Sequence, residues 1–461
     1  MAQALTAQLA RMVSGLRFAD LPAEAIRIAR TGIADCLAVL VAGSDEPAVQ
    51  SLRATLAELG GPAEARVGYS NERLPAPHAA WINGTAGHVL DYDDVARGHP
   101  SVAIVPALLA EGTVLNASGS DVITAYVAGY ETWMELISRE PDNHQMKGLH
   151  PTSIFGALAA AAACANLRRL DEGRTINALG IAAAQASGLT SVYGSMVKSV
   201  QVGRAAYTGV IAARSAAHGM QATGDAFDGE RGFLRAHSPN RKADIDTPSR
   251  AGGAEGQWHI LRQGLSIKRY PMCYCAHRAI DATLETAPRL NVSEIEKIEV
   301  TLGKIQATTL KNHRPRSGMD ALFSVEFAIA CALLEGNVGL QQLNDAVVQR
   351  ADVQALVARV SVSTTEDYDP DEPALSRFDQ VRFFMRGGDV IESVKVARAL
   401  GSAQRPISAD ALRQKFVDCF ARGAPQVNAV ALFDGLNQLE CVASVRDLWD
   451  VAACHSGKTI N

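Results

Sequence analysis

Aromatic residues are scarce in this chain of 461 residues, where they make up only 5% of the sequence. Hydrophobic residues nevertheless account for 48%, so the core must be built mainly from alanine, leucine, valine and isoleucine. Because alanine has the highest helix propensity and lets helices approach closely, this balance favours close-packed helices. The length exceeds what one compact core usually holds, and we expect two or three domains or one large domain with an insertion.

An excess of positive charge is lacking as well. The formal net charge is -5, which argues against sequence-independent nucleic-acid binding, because that requires clustered lysine and arginine. The most apolar stretch, residues 154–165, is shorter than the roughly 20 residues that span a bilayer. The N-terminus has no basic segment followed by a long apolar run, so no secretory signal is expected. The sequence predicts a cytoplasmic protein, or an organellar one in a eukaryote, that binds neither nucleic acid nor a membrane.

The eight cysteines include no Cys-x-x-Cys pair. Cys273 and Cys275 are separated by one residue, a spacing that matches neither a zinc knuckle nor the common redox motif. We therefore expect free thiols in a reducing compartment.

Helical periodicity runs from the start of the chain to about residue 265. Between Pro22 and Gly43, apolar residues recur every three or four positions, with proline suited to a first turn and glycine to a helix end. Several helices are so rich in alanine that we expect them inside a bundle. The same periodicity predicts helices over 76–90, 101–115, 120–138, 152–168, 174–188 and 201–219.

The pattern changes near residue 240, where a polar connection covers 241–257. Alternating residues then predict strands, and two of them flank Gly387-Gly388, a hairpin signal. The predicted fold class is mainly α: a large all-helical domain from both chain ends, 1–264 and 399–461, with a smaller α+β domain inserted at 265–398. The strands are expected at 298–302, 360–363, 381–386 and 390–396, with helices at 319–334, 341–355 and 408–420.

The densest group of polar residues lies between His88 and His99, where Asp91, Asp93 and Asp94 fall within four positions. Such carboxylates can hold a hard cation, supply a general base or cap the next helix. Apolar helices flank the group on both sides, which predicts that it is buried. Three buried carboxylates are costly without partners, so a functional role is expected.

Two further segments carry positive charge. Residues 194–204 contain glycine and serine and are predicted to form a loop leading into a helix, where backbone amides, Lys198 and Arg204 favour an anion. Residues 268–277 lie at the predicted domain junction, a common place for small-molecule sites. A fourth candidate, His150, precedes an alanine-rich helix whose predicted N-cap is Thr152 or Ser153.

Together these segments resemble the MmgE/PrpD family, which includes 2-methylcitrate dehydratase, cis-aconitate decarboxylase and iminodisuccinate epimerase. The matching stretches follow the family's order along nearly the whole chain. They are 83–94, 99–101, 150–152, 194–204, 268–271 with His277, and 321–327.

The resemblance implies a helical domain plus an α+β lid, assembled as a homodimer with the site between the domains, and neither a metal nor an organic cofactor. Matched by position, the catalytic residues would be Asp91, His99, His150, Lys198 and Lys268. Substrate contacts are expected from Arg204, Arg269, Tyr270, His277 and Phe327.

The chain departs from the decarboxylase pattern in three places. Val95 stands where a threonine is expected, the connection from Val95 to His99 is shorter, and Phe327 stands where a tyrosine hydroxyl is expected. These departures remove two hydrogen-bonding groups from the expected site and leave the substrate open.

The residue types suit proton abstraction next to a carboxylate, with lysines neutralising the enediolate that forms. Asp91 or His99 could take the proton, and His150 could protonate a leaving hydroxyl. The sequence predicts a metal-independent lyase or isomerase of a small di- or tricarboxylate. Dehydration like that of 2-methylcitrate comes first, with epimerisation and decarboxylation as alternatives.

Two other classes stay open. A magnesium-dependent helical enzyme of diphosphates would use the aspartates as metal ligands, but Asp91, Asp93 and Asp94 are too close in sequence to share one helix face. A non-catalytic protein that binds carboxylates would keep the scaffold and tolerate Val95 and Phe327.

Overall fold

The computed structural model describes residues 4–253, 257–370, 372 and 374–449. The chain divides into two compact units. The first unit contains the residues up to Val89, residues 93–265 and the residues from Ala409 onward. The second unit contains residues 90–92 and 266–408. The fold is mainly helical, as predicted.

The first unit is built from helices and one short antiparallel strand pair, β1 and β2. Its helices are α1 (Leu5–Gly15), α2 (Ala23–Ala42), α3 (Pro47–Leu59), α4 (Ala76–Val89), α5 (Pro100–Leu115), α6 (Gly119–Ile137), α7 (Pro151–Leu167), α8 (Glu172–Gln185), α9 (Val197–Ala217), α10 (Phe233–His237), α11 (His259–Gln263), α18 (Ala409–Gly423) and α19 (Ala429–Leu436), and its strands are β1 (Ala65–Arg66) and β2 (Arg73–Leu74).

The predicted helices of this unit are confirmed, with one informative difference. Helix α9 begins at Val197, one turn before the predicted start at residue 201. Lys198 therefore lies in the first helical turn and not in a loop. The sequence does not indicate this helix start, because Met196 occupies the N-cap position and makes no side-chain cap.

The predicted N-cap of α7 is wrong. His150 occupies the N-cap position and no side chain caps the helix. The two expected caps are engaged elsewhere: the Thr152 hydroxyl accepts a hydrogen bond from the His99 amide, and the Ser153 hydroxyl contacts the carbonyl oxygen of Gln201.

Close packing fixes the inner helices. Every residue of α7 is buried, as its alanine content predicts. Helices α4 and α9 meet where glycine faces glycine: a Cβ on Gly84 would lie 2.8 Å from the Cα of Gly203, and a Cβ on Gly203 would lie 2.2 Å from the Trp81 carbonyl oxygen. The two backbones are therefore in contact, and this crossing positions His88 on α4 relative to Lys198 on α9.

The second unit is an α+β structure. Its helices are α12 (His277–Thr286), α13 (Lys304–Thr309), α14 (Gly318–Ala321), α15 (Val325–Glu335), α16 (Asp345–Val348) and α17 (Ala351–Val357), and its strands are β3 (Ile295–Gly303), β4 (Val360–Thr365), β5 (Gln380–Met385) and β6 (Val390–Glu392). The sheet has the order β4-β3-β5-β6; β4 is parallel to β3, and the other pairs are antiparallel. The hairpin at Gly387-Gly388 is confirmed, although β6 is shorter than predicted.

Two predicted helices of this unit are interrupted. The run 319–334 is divided into α14 and α15, because the Ser324 hydroxyl accepts a hydrogen bond from the Phe327 amide and starts a new helix. The run 341–355 is divided into α16 and α17. Among the described residues, no helix combines the length and the apolar character needed to cross a membrane.

Candidate active site

The aspartate-rich segment is buried, as predicted, and its side chains separate into different surroundings. In the first unit, Asp93 is fully buried between two histidines. Its Oδ2 lies 2.8 Å from Nδ1 of His88, at the end of α4, and 3.3 Å from Nδ1 of His99, at the N-cap of α5. The two imidazole rings stand edge to face with centroids 4.9 Å apart. The Asp93 carboxylate therefore contacts the imidazoles of both His88 and His99.

The hydrogen bonds determine where neutral His99 carries its proton. Its Nδ1 lies 2.9 Å from the carbonyl oxygen of Asp94, which can only accept. The Nδ1 atom must therefore bear the hydrogen, and Nε2 carries the lone pair. The His99 side chain keeps 16% of its surface exposed. Neutral His99 can therefore accept a proton at Nε2.

His150 has the opposite arrangement. The Leu189 amide donates to Gln201 Oε1 over 2.9 Å, and Gln201 Nε2 donates to the Leu189 carbonyl over 3.0 Å, which fixes the orientation of the Gln201 amide. The same Nε2 lies 2.7 Å from Nδ1 of His150. Because Nε2 is a donor, His150 Nδ1 must accept, and neutral His150 carries its proton on Nε2. His150 is therefore set up to donate.

An aromatic ring and a lysine accompany His150. Tyr193 stands edge-on to the His150 ring with centroids 5.0 Å apart. The Nζ atom of Lys198 lies 6.0 Å from the centre of the Tyr193 ring, and Lys198 is 9% exposed. His88 and His150 have ring centroids 5.8 Å apart. Tyr193 therefore lies near both His150 and Lys198, two of the predicted residues.

Asp94 has a structural role at the start of helix α5. Burial, followed by the nearby Asp35 carboxylate, raises the pKa of Asp94 well above its ordinary value, against hydrogen bonds from Ser101. The Ser101 hydroxyl contacts Asp94 and also lies 2.7 Å from the Tyr126 hydroxyl. Since Ser101 belongs to the first turn of α5, Asp94 holds the end of α5 that carries His99.

The second unit contains another pair of predicted residues, Asp91 and Lys268. The fully buried Lys268 ammonium donates to the Asp91 carbonyl over 2.7 Å and lies 3.3 Å from its carboxylate. Asp91 has a φ of 49°, a left-handed conformation that aspartate tolerates better than most residues. The Tyr92 hydroxyl donates to the Arg269 carbonyl over 3.1 Å. Three polar contacts therefore hold residues 90–92 against residues 268–269.

The remaining predicted substrate contacts have protein partners. In the first unit, the Arg204 guanidinium lies 4.8 Å from the Trp81 ring centre and 4.1 Å from that of Tyr207. In the second unit, the buried Tyr270 hydroxyl donates to Asp281 over 2.7 Å. The others in that unit pack on neighbouring side chains: Arg269 and His277 against Tyr270, and Phe327 within the hydrophobic core.

Two residues were missed by sequence reasoning. Gln201 lies three positions after Lys198, and this helical spacing puts both on one face of α9, so the signal was available once the helix start was known. Tyr193 offered no signal, because nothing in its neighbourhood predicts contact with His150.

Two imidazoles and a carboxylate are also ligands for a divalent transition metal. In the first unit, Nδ1 of His88 and Nδ1 of His99 both contact Asp93. A metal held by these Nδ1 atoms would have to displace those contacts. The two Nδ1 atoms therefore fit a hydrogen-bonded acid/base group better than a metal site.

Comparison with known proteins gives consistent matches. Residues 7–246 match the MmgE/PrpD N-terminal domain, and residues 270–434 match the MmgE/PrpD C-terminal domain. The chain is 26% identical to human cis-aconitate decarboxylase over 368 residues, covering 76% of this chain and 73% of the human protein. For cis-aconitate decarboxylase of Mus musculus the identity is 25% over 435 residues, covering 90% and 86%. For that of Aspergillus terreus it is 28% over 417 residues, covering 85% and 84%.

Proposed function

Because the chain belongs to the MmgE/PrpD family, whose two domains match most of its length, we propose that it is a lyase acting on a small di- or tricarboxylate. The reaction begins with proton abstraction next to a carboxylate and uses neither a metal nor an organic cofactor. The observation that carries the proposal is the pair of imidazoles with opposite proton placement. His99 presents a lone pair at Nε2 and His150 presents a hydrogen at Nε2.

His99 is the proposed base. A proton next to a carboxylate is weakly acidic, because its removal produces a doubly negative enediolate. When His99 Nε2 takes this proton, the imidazolium gains the nearby Asp93 carboxylate as a counter-ion. A buried carboxylate that orients an imidazole and stabilises its charged form is a recurrent catalytic device.

His150 and Lys198 are proposed to stabilise the charge that develops on the substrate. Because the Gln201 contact leaves the hydrogen of neutral His150 on Nε2, His150 would act as a hydrogen-bond donor to the enediolate or to a leaving hydroxyl. Lys198 supplies a positive charge from the first turn of α9, whose backbone amides also favour an anion. Such fixed donors contribute most where water is excluded.

Asp91 and Lys268 are proposed as further catalytic residues. Asp91 is an alternative base, and Lys268 is an alternative cation. Their ion pair in the second unit means that neither can be changed without affecting the other. Their contribution is therefore tested by paired variants.

We propose dehydration of a hydroxy-polycarboxylate such as 2-methylcitrate as the first reaction. Loss of water needs a base for the proton and a donor for the hydroxyl, and the two imidazoles offer both. Decarboxylation is the second candidate, because relatives in human, Mus musculus and Aspergillus terreus carry that name. Against it, Val95 and Phe327 lack the hydroxyls expected in the decarboxylase pattern.

The finer architecture is also a proposal. It comprises a lid at 265–398, helical parts at 1–264 and 399–461, and a cytoplasmic homodimer. Sedimentation of the purified protein would test the dimer, and small-angle scattering with and without a polycarboxylate would test lid motion.

The direct experiment incubates the purified protein with a panel of hydroxy-, amino- and unsaturated polycarboxylates and records products by mass. Loss of water supports dehydration, loss of CO2 supports decarboxylation, and an unchanged mass with inverted stereochemistry supports epimerisation. A panel without turnover or binding would refute the proposed class. Activity that chelators remove and a divalent cation restores would refute the metal-free mechanism.

Matched variants test the proposed base. His99→Gln keeps a polar side chain but removes the proton acceptor, and turnover should fall by about 10²- to 10⁴-fold. His218→Gln, at an exposed position after α9, is the control and should keep full activity. A His99→Gln protein with native turnover would remove His99 from the mechanism. Lys198→Ala should remove activity and leave the fold intact, as judged by circular dichroism.

A further inference from the structure

Cys273 and Cys275 lie on either side of Tyr274 where the chain turns into α12. Residues Tyr274–Ala276 form a 3₁₀ turn, and the Ala276 amide donates to the Cys273 carbonyl over 2.9 Å. In such a turn, alternate Cα atoms are about 5–6 Å apart. Disulfides join cysteines whose Cα atoms are separated by about 4.4–6.8 Å. The backbone therefore holds the two cysteines at bridging distance, although their spacing in sequence gives no such indication.

The two thiols also influence each other's pKa. A hydrogen bond from Cys275 lowers the pKa of the Cys273 thiol, against burial and the charge of Asp91, and the Lys268 ammonium lowers it further. Donating this hydrogen bond, together with burial, raises the pKa of Cys275. The lowered pKa favours a thiolate at Cys273, and Cys275, two residues further along the turn, is the neighbouring thiol.

Four other described cysteines are buried and differ from Cys273 in the pKa of their thiols, whereas Cys441 is exposed. Burial raises the pKa of Cys36 and Cys164, and it raises that of Cys331 and Cys419 to about 12. Cys275, in contrast, is only half-buried, so a small oxidant can approach this residue from the surface. Since the thiolate is the reactive form, these differences favour oxidation at Cys273 over the four buried cysteines.

We propose that Cys273 and Cys275 form a redox-sensitive pair that hydrogen peroxide closes into a reversible disulfide. The Cys273 thiolate attacks one peroxide oxygen, the O–O bond breaks, and the released hydroxide takes a proton to become water. The Cys275 sulfur then attacks the resulting sulfenic acid, loses its proton, and a second water leaves as the S–S bond forms. Overall, two thiols lose two protons and two electrons, and one peroxide becomes two waters.

Closing the ring changes the turn that leads into α12. A bridge across a single residue is strained, and strained disulfides are reduced readily. The turn follows the segment that carries Lys268, whose charge acts on Cys273. Oxidation should therefore lower turnover. This effect on turnover rests on the proposed function, but formation of the disulfide does not depend on it.

The sequence offers a direct readout. Trypsin cuts after Arg269 and Arg278, so residues 270–278 leave as one peptide with both cysteines. After brief treatment of the full-length protein with peroxide, this peptide should resist alkylation and weigh two hydrogens less, and dithiothreitol should reverse both changes. Residues 416–422 carry Cys419 alone, and this control peptide should stay fully alkylated.

A Cys275→Ser variant separates the two steps. Its Cys273 should stop at the sulfenic acid and be captured by dimedone, and its turnover should equal that of the parent protein before oxidation. The proposal is overturned if peptide 270–278 is alkylated at both cysteines after peroxide treatment, or if it oxidises no faster than the Cys419 peptide. Because these masses are read without substrate, failure of the disulfide is distinguishable from failure of the proposed activity.

Discussion

Replacing Lys268 by methionine should destabilise the second unit by about 3–5 kcal/mol, the usual cost of leaving one partner of a buried ion pair uncompensated. The Lys268 and Asp91 side chains are 0% and 4% exposed, and the ammonium also donates to the Asp91 carbonyl. Methionine keeps the length and apolar character of the chain but leaves the Asp91 carboxylate buried beside it. The loss is therefore dominated by charge and not by volume.

Asp91→Asn is the matched partner variant. Asparagine tolerates the left-handed conformation at this position, with its φ of 49°, so the change removes the charge without adding backbone strain. Asp91→Ala should be less stable than Asp91→Asn by about 1 kcal/mol, because alanine adds that strain. In the double variant with Lys268→Met, neither member of this pair carries a charge. The double variant should therefore be more stable than Lys268→Met alone, by about 1–3 kcal/mol.

The position of the tryptophans decides the assay. Residues 266–408 contain no tryptophan, and Trp81, Trp133 and Trp258 belong to the first unit. Tryptophan fluorescence in urea therefore follows the first unit and serves as an internal control. Hydrogen exchange of peptides from 266–408, measured by mass, reports the second unit. If adding Asp91→Asn lowers the stability of Lys268→Met as much as it lowers that of the parent, the two groups do not interact and the reasoning fails.

Two further predictions concern the first unit. Gln201→Met removes the amide that contacts both His150 and Leu189. In steady-state kinetics, turnover should fall at least about 10-fold with little change in KM. Unchanged turnover would contradict the proton placement on His150. For Glu135, burial raises its pKa, but the hydrogen bond from His259 and the nearby Arg139 prevail and lower it from 4.5 to about 2. Because the folded value is the lower one, this carboxylate stabilises the fold above pH 4.5 and the contribution fades as pH falls toward 2. In the Glu135→Gln variant, Tm should therefore decrease less between pH 4.5 and pH 2 than in the parent protein. An equal decrease of Tm in both proteins would refute the lowered pKa of Glu135.

Local patterns were enough for most of the elements. The periodicity between Pro22 and Gly43 predicted α2, and Gly387-Gly388 predicted the hairpin, because both signals depend on residues adjacent in sequence. The break at Ser324 escaped, since apolar residues continue on both sides of it and only the hydroxyl contact with the Phe327 amide starts the new helix.

The candidate site was predictable in its residue types but not in its contacts. Burial of the aspartates followed from the apolar helices around them. The Lys268–Asp91 contact joins residues 177 positions apart, a pairing that no local pattern contains. The placement of protons on His99 and His150 depends on Asp94 and Gln201, whose roles become visible only when the backbone brings them within hydrogen-bonding distance.

The glycine contact between α4 and α9 restricts how this chain can acquire a new substrate. Any side chain at Gly84 or Gly203 would push the two backbones apart and shift His88 relative to Lys198, so variation along these helices is costly. The segments 190–192 and 195–196 are exposed or half-buried and carry no such crossing. A directed-evolution library that randomises those two segments and leaves the glycines unchanged should yield more folded, active variants than a library of equal size along α4 and α9.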